Sequence, residues 1–395
     1  MSGRFWGKNT KQFLPVLSKK RLLIGIPCRN LFPESKNVMA MKYKVLIVLW
    51  ATLFMFAACS PSSIKTEEEA KDEDETVLEE GEDDSQDSDD QQDDSDDDEN
   101  VFEGPGTEFV AGHSVALESV LRNIPEEFIQ KARDNFVVSY QHTSHGTHVT
   151  RGVYGLPQYK SGDEELFAVT RNEPGEGMLN IYDNKMELFA PEGVEATDLS
   201  TNETAFVDAT RNYLDDPRNE AVNVVMWSWC NIAGHNVEDN YLPGMQVLIQ
   251  EYGEGGSKIG SEEGMRERPV HFIFMTGHAN QNNNVGPGKP KNLAALINDF
   301  CEENQYYCLD YYSIDTHDMD GNYWEDAGDN GGSDEYGGNF YEDWQETHEA
   351  GVHYWYNRYS PGGDVAYGAH NTQHITANRK GMAFWWILAR LAGWN

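Results

Sequence analysis

Four short apolar runs constrain the fold more than anything else in the chain. Residues 136–140, 222–228, 270–275 and 307–312 are rich in Val, Ile, Phe, Met, Trp and Tyr. Runs with little polar alternation read as strands covered on both faces, the habit of parallel sheets. Helical patterns lie around and between them, at Ile124–Asn135, Thr204–Leu214, Pro243–Tyr252, Lys291–Glu303 and Ala377–Leu391. Pro125 with Glu126 and Glu127 marks the start of the first helix, since a helix N-terminus tolerates Pro and favours acids. Strands alternating with helices predict one α/β domain of three layers, over 106–395.

A polar turn follows each run. His142, Ser144, His145 and Gly146 follow the first; Cys230, Asn231, Gly234, His235 and Asn236 the second. Thr276, Gly277, His278 and Asn280 follow the third, and Asp315, His317 and Asp318 the fourth. A parallel sheet brings such turns to one rim, where ligands of open α/β sheets bind. Ser144 is then a candidate nucleophile with imidazoles nearby, or a turn serine capping the next helix. His142, His145 and His148 form a candidate metal cluster, against the commoner outcome of hydrogen-bonded structural histidines.

The N-terminal quarter is of another kind. Residues 66–100 carry 21 Asp/Glu against one Lys. They are expected to form a disordered tether, because they have too little apolar surface to offset chain entropy. Residues 1–65 carry 11 Lys/Arg against one acid, leaving 18 Lys/Arg and 45 Asp/Glu in 101–395. That acidity argues against nucleic acid as a partner. Met41–Lys44 is a basic start, Val45–Phe56 an apolar run, and Ala57-Ala58-Cys59 a small-residue cleavage site. This is the layout of a secretory signal, and the run is short for a membrane span. Residues 1–40 then read as a mis-assigned extension, 41–58 as the signal and 59–105 as the tether. Export would permit one disulfide, for which Cys230 with Cys301 is the expectation.

The residues around Cys59 resemble the lipobox of bacterial lipoproteins. That resemblance implies lipidation of Cys59 and an outer-membrane or cell-surface location in a gram-negative cell. The domain resembles the SGNH (GDSL-like) hydrolases. It is closer still to a group of secreted bacterial proteins with a His-Thr-Ser-His-Gly turn, here His142–Gly146, together with Trp227–Cys230, Met275–His278 and Lys380–Trp386. The resemblance implies a flavodoxin-like parallel sheet and a serine esterase acting on an extracellular polysaccharide or other ester. Ser144 matches the nucleophile and Asn280 the Asn of the oxyanion block. His370 matches the C-terminal base, with His374 as the alternative. Asn231, Gly234, Gly277 and His278 fall in the binding turns. The family's Asp-x-x-His is absent, with Tyr367 and Asn371 at the Asp positions, so Asp364 is the only candidate orienter of His370. A non-catalytic glycan-binding lipoprotein on the same fold is the alternative, as is a metal hydrolase using the histidine cluster.

No cofactor is expected, apart from a weak calcium pattern at Asp318, Asp320 and Asn322. Residues 326–340 read as a lid over the strand ends or a disordered insertion. Tyr323, Trp324, Tyr336 and Phe340 are candidates for stacking on sugars. Trp385, Trp386 and the apolar residues after them read as core packing of the last helix.

Overall fold

A computed structural model describes residues 108–370 and 373–395. The expected signal, lipidation site Cys59 and acidic tether lie outside these residues. Among the described residues, no helix is long and apolar enough to cross a membrane.

Seven strands form one parallel sheet: β1 Val110–Ala111, β2 Val137–Gln141, β3 Val169–Arg171, β4 Leu179–Asp183, β5 Val224–Trp227, β6 His271–Met275 and β7 Cys308–Leu309. Their order is β1-β7-β6-β5-β2-β4-β3. The central five, β4-β2-β5-β6-β7, follow the doubly wound order 2-1-3-4-5, whose switch point lies between the first and third strands of that set. That point falls between β2 and β5. A two-stranded antiparallel ribbon, β8 Gly332–Ser333 and β9 Gly338–Asn339, stands apart.

The longer helices are α1 Glu118–Asn123, α2 Glu126–Asn135, α3 Thr147–Gly155, α4 Asp163–Leu166, α5 Ala205–Leu214, α6 Leu242–Tyr252, α7 Pro290–Asn304, α8 Tyr311–Thr316, α9 Phe340–Thr347 and α10 His374–Leu391. Side chains alternate across the sheet. Val138, Tyr140, Val224, Met226, Ile273 and Met275 point to a core shared with α1, α2, α3 and α10. Val225, Trp227, Phe272 and Phe274 point to a second core built with α5, α6 and α7. Those two cores and the sheet between them are the three layers.

The sequence expectations of strands near 136, 222 and 270, and of five helices, agree with the fold. The run 307–312 does not form one strand. It ends at Leu309, because the Asp310 side chain accepts from Ser313 N at 3.2 Å and caps α8. Strands β1, β3 and β4 and helix α3 have no counterpart in the sequence expectations. Trp385 and Trp386 lie in the first core, as expected of the last helix.

Helices α3 and α10 cross at two glycines. A Cβ on Gly152 would stand 1.9 Å from the Ala377 carbonyl oxygen, and one on Gly381 2.9 Å from Gly152 C. Only glycines allow this approach. It anchors the C-terminal helix beside the turn that follows β2, and His370 lies four residues ahead of that helix.

Candidate active site at the sheet switch point

The chain leaves β2 into a tight 3₁₀ turn, Ser144–Gly146, and then α3. Ser144 is half-buried with φ +38°, a left-handed conformation that costs a non-glycine residue about 1–3 kcal/mol. The Gly146 N–H donates to the Thr143 carbonyl at 2.9 Å. A Cβ on Gly146 would fall 2.2 Å from Ser228 Oγ and 2.7 Å from His142 Cβ, so the turn after β2 and the strand end of β5 touch at this glycine. No side-chain hydroxyl caps the turn or α3. Ser144 therefore does not serve as the capping serine that its position also allowed.

His145 occupies the centre of the rim. Its Nε2 lies 3.2 Å from Asp329 Oδ2, and its Nδ1 3.9 Å from Cys230 Sγ. Its ring is sandwiched between His278, at 3.7 Å between centroids and 13° between planes, and His370, at 4.4 Å and 17°. Burial works against a charged His145, but the Asp329 carboxylate and the Cys230 sulfur outweigh it and raise the imidazole to about 9. The same contact with His145, against burial and helped by the Ser144 hydroxyl, holds the Cys230 thiol below its ordinary range. His278 is pushed down to about 4 by burial and by its charged neighbour. His370 is lowered by the same two causes.

His142 and His148 leave this cluster in other directions. His142 Nε2 meets Asp183 Oδ1 at 2.8 Å, and its Nδ1 meets Thr147 Oγ1 at 3.3 Å. Burial pushes the Asp183 carboxyl up, and His142, Arg171 and Tyr154 together hold it below its ordinary value. His148 Nε2 donates to the Ala369 carbonyl at 2.5 Å, which leaves Nδ1 to accept from the Tyr311 hydroxyl at 2.6 Å. Burial keeps His148 neutral, well below its ordinary value. All four ring nitrogens of His142 and His148 are engaged, so His142, His145 and His148 do not form the metal cluster that their spacing allowed. Two of them are structural and one lines the rim.

The late residues separate in the same way. His370 is exposed, at φ +66°, and stacks over His145, beside Ser144. His374 is buried at the start of α10, where its Nδ1 accepts from Asn357 N at 3.2 Å and its ring stacks on Tyr367. Burial, with Arg358, drives it down to about 4. Asp364 is exposed. Among the described residues no hydrogen bond or ion pair joins it to His370, whose charged neighbours are His145 and Asp329, so it does not orient that imidazole.

The binding turns meet the rim unevenly. Asn280 Nδ2 donates to Asn231 Oδ1 at 3.4 Å, which joins the turns after β6 and β5. Gly277 fits against Ile232, whose Cγ2 would stand 2.4 Å from an added Cβ. Gly234 cannot supply an oxyanion donor, because its N–H is spent on the Gly288 carbonyl at 2.8 Å. His278 Nδ1 donates to the Ala279 carbonyl at 2.7 Å.

Sequence reasoning missed Asp329 and did not rank Cys230 among the site residues. Residues 326–340 are neither a disordered insertion nor a featureless loop. Asn284 Nδ2 donates to the carbonyls of Glu325 and Ala327, at 2.9 and 2.7 Å, and Asn282 N to that of Asp326, at 2.8 Å. These bonds pin the segment over the strand ends and deliver Asp329 to His145. Beneath the rim lies a fully buried ion pair, Lys380 Nζ to Asp315 Oδ1 at 2.6 Å. Asp315 Oδ2 also accepts from Ala279 N at 3.1 Å, so the pair ties α10 to the turn that carries His278 and Asn280. Burial pushes the Asp315 carboxyl up and the Lys380 ammonium down.

Other expectations resolve plainly. The Asp318 carboxylate accepts from Asp320 N and Asn322 N, and from Asn322 Nδ2 and Trp324 Nε1, at 2.8–3.0 Å. Four N–H donors fill its lone pairs, so a turn, not a calcium loop, accounts for this pattern. Phe340 is buried and Trp324 half-buried in a small cluster with Tyr341 and Ile375, which leaves Tyr323 as the exposed member of the proposed stacking set. Cys230, Cys301 and Cys308 are free thiols. Cys301 lies against Cys308 in the second core, while Cys230 faces His145, so the expected Cys230–Cys301 bridge does not form.

Fold and site together define a doubly wound α/β protein with a Ser-, His- and Cys-lined rim at its switch point. The chain matches no family model, no curated protein and no solved structure.

Proposed function

We propose that this domain is an ester hydrolase of SGNH-like type, held at the outer membrane or cell surface by a lipid on Cys59, and that it removes acyl groups from an extracellular polysaccharide or a comparable ester. One observation carries the reading. The strained, half-exposed Ser144 turn, the imidazoles of His145 and His370 and the Asn280 amide come from three separated segments and meet at one rim.

Ser144 attacks the ester carbonyl. His370, stacked over the adjacent residue and facing solvent, takes the hydroxyl proton and returns it to the leaving alcohol, the general-base role. Asn280 and the backbone amide of the Ser144 turn are the candidate donors to the tetrahedral oxyanion. Asp329 fixes His145, which buttresses the ring of His370 in the absence of an Asp-x-x-His orienter.

Hydrolysis of a nitrophenyl acyl ester by the purified domain tests this. Ser144→Ala is expected to remove activity by a factor of about 10³ or more. Unchanged turnover in that variant, or no turnover in the parent together with retained glycan binding, overturns the assignment in favour of a binding module.

A further inference from the structure

We propose that His145, Cys230 and His370 form a binding site for one borderline divalent cation of the zinc class. Each residue offers one donor atom, and the three donors lie within 4.8 Å of one another. Around a tetrahedral zinc with bonds of about 2.0–2.3 Å, neighbouring donors stand roughly 3.5 Å apart. The His145 Nδ1 to Cys230 Sγ distance of 3.9 Å is already close to that value. Two of the residues sit on turns that follow adjacent strands, and the third, exposed on the segment before α10, would turn its ring out of the stack on His145 to aim a nitrogen lone pair at the same ion.

The groups behind His145 suit a metal ligand. The Asp329 carboxylate can only accept, so His145 Nε2 carries a hydrogen. In the neutral ring the Nδ1 lone pair therefore faces Cys230. A carboxylate behind a ligating imidazole, fixing its tautomer, is the usual outer layer of a metal–histidine site. Two imidazoles and a thiolate select zinc, cobalt or copper over calcium or magnesium, which prefer oxygen. Binding releases to solvent the Nδ1 proton of the charged His145 ring and the proton of the Cys230 thiol where it is present, and forms one metal–sulfur and two metal–nitrogen bonds. Three protein ligands leave a fourth position for water. The Ser144 hydroxyl lies against the Cys230 sulfur and so next to that position.

One consequence rests on the hydrolase proposal. A metal on His370 occupies the lone pair that would take the Ser144 proton, so the loaded protein is inhibited and a chelator restores it.

The test uses cobalt(II) added to the metal-stripped domain under reducing conditions. One equivalent is expected to give visible bands of tetrahedral intensity and a near-ultraviolet thiolate-to-metal charge-transfer band. Cys230→Ser is expected to lose the near-ultraviolet band while keeping the parent circular dichroism. Asp329→Asn is expected to keep the band but weaken affinity about 10–100-fold, measured by competition with a chromophoric chelator. His370→Ala is expected to weaken affinity at least as much. Absence of the charge-transfer band in the parent, or its persistence in Cys230→Ser, overturns the proposal. These readouts do not depend on ester hydrolysis, so failure of the hydrolase reading leaves them intact. Metal binding without inhibition of a measurable esterase would overturn the consequence for His370 alone.

Discussion

Lys380→Met removes the only cation at 2.6 Å from the Asp315 carboxylate and leaves that group in a site with no solvent exposure. The methionine fills most of the lysine's volume, so the cost is mainly electrostatic. An uncompensated buried carboxylate protonates instead of staying charged. Holding an aspartic acid neutral at pH 8.5, against a parent in which burial raises it to about 7, costs about 2 kcal/mol at about 1.4 kcal/mol per pH unit. Release from burying the ammonium offsets part of this, so a loss of about 1–2 kcal/mol is expected at pH 8.5. The sign follows from linkage. Burial already raises Asp315 to about 7 in the parent, so below that pH both proteins fold with it protonated, and the penalty relative to the parent is small there and grows as pH rises above about 7. Urea unfolding followed by tryptophan fluorescence at pH 6 and pH 8.5, against the parent at each pH, measures this difference. Asp315→Asn combined with Lys380→Met keeps an acceptor for Ala279 N and carries no titration cost, so it should recover most of the loss. A Lys380→Met penalty that is equal at both pH values, or additive with Asp315→Asn, would refute the reasoning.

Ser144→Gly relieves the left-handed strain at φ +38° and is expected to raise stability by about 1 kcal/mol while abolishing ester hydrolysis, read by paired denaturation and turnover assays. Gly146→Ala forces a Cβ into Ser228 and His142 and should lower the melting temperature by several degrees, with loss of activity. Burial holds His113 and His374 at about 4, so both fold neutral. The unfolded chain binds their protons first, and stability should fall as pH drops from about 6.5 towards 4. Replacing His374 with Phe is expected to flatten that part of a calorimetric pH series, and an unchanged slope would count against the burial argument.

How much was legible in the sequence follows from what each residue's neighbours along the chain reveal. The central strands were readable because both faces are covered, so their apolar runs are uninterrupted, as in Val224–Trp227. Strand β3 at the sheet edge and β4 beside it were not, because Thr170, Asn180 and Tyr182 are half-exposed and break the run. Helix α3 was hidden because its buried side is made of His148, Gly152 and Gly155 as much as of Val149 and Val153. The convergence of Ser144, His145, His278 and Asn280 could be foreseen from strand-end position alone. Asp329 could not, since it arrives through side-chain bonds from Asn284 to backbone carbonyls more than forty residues away. The roles of His142 and His148 needed the partners Asp183 and Tyr311, which no spacing rule supplies.

Labelling with a serine-reactive fluorophosphonate, followed by peptide mapping, tests the central claim most directly. The account predicts a single adduct on Ser144 that disappears in Ser144→Ala, falls sharply in His370→Ala and persists in His374→Ala. No adduct in the folded parent, or an adduct placed on another residue, would contradict it.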